Sequence, residues 1–145
     1  MEQKKDSPII VSACLAGLVT NYQGRAWPTQ DVIDLVKEGK AIPVCPEQLG
    51  GLTTPRQPAE RRGNQVVTIE GHDVTQQFHR GAEIVSKIVE LTGAKKAILK
   101  ANSPSCGVGH TYDGTFTDQL IEGDGVTAEK LRLLGLELIT EEDLD

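Results

Sequence analysis

The chain has 145 residues, 38% of them apolar and 25% charged, which is enough for one domain built around a single core. A formal net charge of −6, with no Lys/Arg run denser than Arg61-Arg62 or Lys95-Lys96, excludes a broad phosphate-gripping surface and predicts no nucleic-acid partner. No stretch approaches the roughly 20 apolar residues of a membrane helix. The opening Met-Glu-Gln-Lys-Lys-Asp lacks the apolar segment of a secretory leader, so a cytoplasmic chain with reduced thiols is expected.

Pro8 to Cys14 is a short β-branched run that predicts a buried strand with Cys14 at its end. Thr29 is placed to cap a helix through Val32, Leu35 and Val36, which Gly39 would end. Ala41 to Cys45 reads as a second strand stopped by Pro46, again with a cysteine at its carboxyl end. Residues 50–64, punctuated by Gly50-Gly51, Pro55, Pro58 and Gly63, read as an ordered loop. Gln65 to Glu70 alternates weakly, as an edge strand or hairpin would. Asp73 and Gln76 have the spacing of a capping box, and Val74, Phe78, Ala82, Val85 and Val89 share one helical face up to Gly93. Lys96 to Lys100 is a third strand. Thr127 is the expected cap of a last helix carrying Leu131 and Leu134, and Leu136 to Ile139 a final strand. With only five aromatic residues, the core must be aliphatic. Strands alternating with helices at this spacing predict a single α/β domain over residues 1–145. It would be Rossmann-like, with a mostly parallel sheet and helices on both faces. Ligands in such folds bind beyond the carboxyl ends of the strands, where Cys14, Cys45 and Cys106 all fall.

The cysteines are 31 and 61 residues apart, unlike the paired hooks of a zinc ribbon or the tight run of a ferredoxin. By spacing alone they fit buried small apolar residues equally well. Context favours a metal or cluster site: Cys45 precedes Pro46-Glu47, and Cys106 sits in Ser-Pro-Ser-Cys-Gly, a turn suited to aiming N–H groups at an anionic centre. Three thiolates on a 4Fe–4S cubane would leave one open iron, while three thiolates and a water on zinc is the competing arrangement. A C-x₂-C redox pair is absent.

Ser12-Ala13-Cys14-Leu15, Tyr22-x-Gly24, Cys45-Pro46-Glu47, Gly50-Gly51-Leu52-x-x-Pro55-Arg56, Leu99-Lys100, Ser103-Pro104-Ser105-Cys106-Gly107 and Tyr112-Asp113-Gly114-Thr115-Phe116 occur in this order. Together they resemble the thiouracil desulfidase family over about residues 8 to 140. The resemblance implies conversion of thiouracil, or a related thiolated pyrimidine, to uracil with release of hydrogen sulfide. It implies a 4Fe–4S cluster held by Cys14, Cys45 and Cys106, with Glu47 and Ser103 matching the family's catalytic residues. Glu47 is then the expected general base and Ser103 the proton relay. Arg56 is expected to hold either a substrate oxygen or a loop carboxylate. Tyr112 and Asp113 are weaker substrate-binding candidates in what reads first as a tight turn. His110 is close to Cys106 in sequence, and His72 and His79 form no ligand spacing. The alternatives are a zinc-dependent hydrolase and a non-catalytic iron–sulfur or metal-binding module using the same cysteines.

Overall fold

The computed structural model describes residues 7–144, so the leaderless reading of the first six residues lies outside it. Four strands form a parallel sheet in the order β2-β1-β5-β8: β1 (Ile9–Ser12), β2 (Ala41–Val44), β5 (Lys96–Leu99) and β8 (Glu137–Thr140). The side-chain period of two sorts each strand between two cores. Ile10, Ala97 and Leu99 point to one side, against Val85 and Val89 of helix α3 (Thr75–Thr92) and Leu131 of helix α4 (Val126–Leu133). Val11 and Ile98 point to the other, against Val32 of helix α1 (Gln30–Lys37). Helices therefore cover both faces, as the alternating pattern predicts. Pro43 is accommodated because β2 is an edge strand.

The long helix buries the expected stripe of Val74, Phe78, Ala82, Val85 and Val89, and Gly93 ends it at φ +72°. Its amino-terminal half leaves the sheet and packs Phe78 and Ala82 on Val66 of a hairpin, β3 (Ala59–Arg62) and β4 (Gln65–Thr68). A second hairpin pairs β6 (His110–Tyr112) with β7 (Leu120–Glu122). Among the described residues, no helix is long and apolar enough to cross a membrane.

Several local expectations are corrected. Residues 59–62 are not loop: Ala-Glu-Arg-Arg forms β3 without an apolar alternation, because its inward side chain is a hydrogen-bonded carboxylate, Glu60. The Asp73–Gln76 capping box does not form. Asp73 Oδ1 instead accepts from Thr75 N at 2.9 Å, and the helix opens after Val74. Thr127 lies inside α4, fully buried, and Gly125 caps it. The β6–β7 hairpin carries little apolar signal because all three residues of β7 are exposed.

One close approach sets the position of the site. Helix α2 (Pro46–Leu49) lies directly on α3, with two glycines at the contact. A Cβ on Gly81 would fall 1.9 Å from the Pro46 carbonyl oxygen, and one on Gly50 1.9 Å from that of Gln77. Gly81→Ala must therefore push α2, and Glu47 with it, off its seat. We expect a loss of about 3 kcal/mol in urea unfolding, the upper range for overpacking. An unchanged midpoint would show that the contact is not tight.

Candidate active site

The three cysteines sit on three turns at the carboxyl rim of the sheet. β1 runs into a single 3₁₀ turn, Ala13–Ala16, that buries Cys14. Cys45 follows β2 and is the N-cap residue of α2. Cys106 lies in the turn after β5. That turn is compact because Gly107 and Gly125 have no side chain: a Cβ on Gly125 would stand 2.5 Å from the Ser105 carbonyl carbon. The first N–H groups of α4 donate to the same turn, Val126 N to Pro104 O and Thr127 N to Ser105 O, both at 2.9 Å. All three thiols are free, and all line one cavity of about 790 Å³.

Burial pushes the Cys106 thiol up to about 12, against the opposing pull of hydrogen bonds from Ser12 and Ser105. It pushes Cys14 up to about 11, with Lys100 acting downward and Cys45 and Glu141 upward. Without a cationic ligand, both groups are protonated at neutral pH, and a metal centre that takes them as thiolates displaces those protons.

Glu47 is held at both oxygens. Arg56 Nε donates to Oε1 at 2.9 Å, with the two side chains only 8% and 14% exposed. Ser105 Oγ donates to Oε2 at 2.8 Å. Ser103 Oγ is 3.1 Å from Ser105 Oγ and accepts from the Ser105 and Cys106 N–H groups at 3.1 and 2.8 Å. Those N–H groups, expected to point at the site, are thus taken up by Ser103. With the Ser105 proton committed to Glu47, Ser103 is the donor in the pair, giving a chain Ser103–Ser105–Glu47.

Arg56 takes the carboxylate, one of the two roles expected of it, and its remaining N–H groups reach Thr20 O, Thr53 O and Thr54 Oγ1. Tyr112 lines the cavity. Asp113 does not; its Oδ1 closes the turn on Thr115 N and Thr115 Oγ1, and those bonds hold its carboxyl below the usual range. His110 and His79 are exposed outside the cavity wall, and His72 borders a separate, smaller cavity. Lys100 pairs with Glu141 at 2.8 Å and stands 4.5 Å over the Trp27 ring.

Ser105, Glu60, Trp27 and Phe116, to which the sequence assigns no role, also stand in the cavity wall. A retrievable signal was available for the aromatics. In a chain with five, Phe78 alone is spent on the core, and Tyr22, Trp27, Tyr112 and Phe116 all line the cavity.

The 2-thiouracil desulfurase family matches residues 9–143. The chain belongs to this family. It is similar to the solved structure of the [4Fe-4S]-dependent thiouracil desulfidase TudS, with 43% identity and a TM-score of 0.91 over 96% of this chain and 93% of that one. It is also 41% identical over 147 residues to the uncharacterized protein YbbK of Bacillus subtilis (strain 168), covering 94% of this chain and 97% of that protein. The family read from the motifs and the α/β fold read from the alternation of strands and helices both hold.

Asp124 braces the Cys106 turn from outside. Its Oδ1 accepts from Gly109 N at 2.8 Å, and Arg132 forks both of its oxygens at 2.7 and 2.9 Å. The Arg132 hydrogen bond holds this carboxyl below its ordinary value of 3.8. A depressed carboxyl contributes stability that is present above the ordinary value and lost as pH falls through the folded one. Asp124→Asn is therefore expected to be less stable than the parent by about 1–3 kcal/mol at pH 7. Urea titrations should show that gap closing below pH 3.8; a gap constant with pH would contradict the assignment.

Proposed function

We propose that this protein desulfurates thiouracil, or a related thiolated pyrimidine, to uracil and hydrogen sulfide, with a 4Fe–4S cluster on Cys14, Cys45 and Cys106. The observation that carries this reading is the convergence of three free thiols, from three separate turns, on a single cavity whose wall includes Glu47. Soft thiolates suit an iron–sulfur centre. A single zinc ion needs its ligands about 2.3 Å away, and among the described residues no three His, Cys, Asp or Glu side chains are grouped to hold one ion. When bound, the cluster supplies an iron without a protein ligand, a Lewis acid matched to a thiocarbonyl sulfur. Four aromatic side chains in the wall suit a planar heterocycle.

The proton chemistry belongs to the chain's own residues. Arg56 and Ser105 fix the Glu47 carboxylate and leave it lone pairs for a water. Glu47 takes one proton as the water oxygen bonds to the ring carbon. The protonated carboxyl then reverses the hydroxyl chain: Glu47 donates to Ser105, Ser105 to Ser103, and Ser103 to the departing sulfur. The two backbone N–H groups on Ser103 Oγ make its proton easier to give up. Unloaded again, Glu47 accepts the second water proton as the carbonyl forms and hydrosulfide leaves. One water is consumed: its first proton leaves on hydrosulfide, and Glu47 then gives the second to hydrosulfide, which restores the carboxylate and completes hydrogen sulfide.

Anaerobically loaded protein should release sulfide from thiouracil. Glu47→Gln is expected to lower kcat by about 10²- to 10⁴-fold, and Ser103→Ala by about 10²-fold, with cluster absorbance retained in both. Full turnover by Glu47→Gln would overturn the base assignment.

A further inference from the structure

Glu60 is a buried carboxylate that the proton chemistry leaves unused. It lies on β3, is 8% exposed, and lines the same cavity as the three cysteines. Its Oε1 accepts two backbone hydrogen bonds, from Gly114 N at 2.9 Å and Phe116 N at 3.1 Å. No cation among the described residues pairs with it. The only enclosed side-chain polar atoms without a partner there are Gln57 Oε1 and Thr127 Oγ1. Glu60 Oε2, which has no protein partner, therefore keeps open surface, and the cavity is the open space that Glu60 borders.

The two oxygens do different work. Through Oε1, Glu60 holds the β6–β7 loop, where Phe116 is kept at φ +60° and lines the cavity, as Tyr112 does. Arg62, two residues along β3, grips the same loop through the Gly114 carbonyl at 2.7 Å. Oε2 is left as an acceptor without a protein donor on the cavity side. A donor on the ligand satisfies it.

We propose that Glu60 is a specificity-determining residue whose Oε2 accepts a hydrogen bond from a ring N–H of the bound pyrimidine. This rests on the thiolated-pyrimidine reading above. Pyrimidine-2,4-diones and their thio analogues carry two ring N–H donors, and a fixed carboxylate acceptor distinguishes them from rings substituted at the nitrogen it faces.

Glu60→Gln tests this with little change of shape. The amide oxygen stays on Gly114 N and Phe116 N, since a flipped amide would set its NH₂ against two donors. An NH₂ then replaces Oε2 and faces the ligand N–H. Using cluster-loaded protein, uracil binding is measured by calorimetry, with 1-methyluracil and 3-methyluracil as matched probes, beside sulfide release from 2-thiouracil. We expect uracil affinity about 10- to 100-fold weaker and KM raised to match, with kcat within about threefold of the parent. One methyluracil should bind the parent weakly by a similar factor, and the variant should no longer separate the two. Unchanged uracil affinity in Glu60→Gln, a fall in kcat at constant KM, or no uracil binding by the parent would overturn the assignment. Should the variant melt below the assay temperature, two methyluracils that bind the parent as well as uracil does would overturn it alone. Absence of sulfide release by the parent counts against the desulfidase reading instead, because the binding arm still decides Glu60.

Discussion

The carboxylate of Glu47 is tied at both oxygens, and the rest of the site is arranged around that double tie. Arg56 holds one oxygen and also reaches the Thr20 carbonyl, beyond the Cys14 turn. Ser105 holds the other and is the residue before Cys106. Glu47 itself comes two residues after Cys45. Loops far apart in sequence are thus joined through one carboxylate. A nearly buried ion pair is stable only when its remaining hydrogen-bonding capacity is used, and here Arg56 is satisfied by two carbonyls and a hydroxyl.

What allows those groups to meet is backbone packed against backbone. A parallel sheet delivers three strand ends to one rim. Glycines then remove the last ångströms: Gly50 and Gly81 seat α2 on α3, and Gly107 and Gly125 fold the Cys106 turn against the start of α4. Satisfying the first α4 N–H groups with the carbonyls of Pro104 and Ser105 gives that turn the rigidity of a helix end. Main-chain contacts therefore seat the turns that carry the thiols, and the Glu47 tie to Arg56 and Ser105 fixes the side chains on them.

Legibility in the sequence followed the range of the forces involved. The sheet strands and α3 were readable because burial repeats along the chain with a fixed period, and Phe78, Val85 and Val89 lie where that period puts them. The cysteines were readable as a set through the motifs around them, since gaps of 31 and 61 residues carry no geometry. Ser105 and Glu60 were not readable. Their roles depend on partners more than fifty positions away, and a glutamate inside Ala-Glu-Arg-Arg looks like any solvated charge. Asp113 misled in the opposite direction, because a residue inside a motif was spent on closing its own turn.

The proposed chemistry depends on the metal centre. Anaerobically loaded protein should be analysed for iron and sulfide and examined by Mössbauer spectroscopy with and without 2-thiouracil. Three thiolates on a cubane predict about four irons per chain, one of them distinct from the other three and altered by the substrate. Stoichiometric zinc, a single iron, or four equivalent irons indifferent to thiouracil would contradict it.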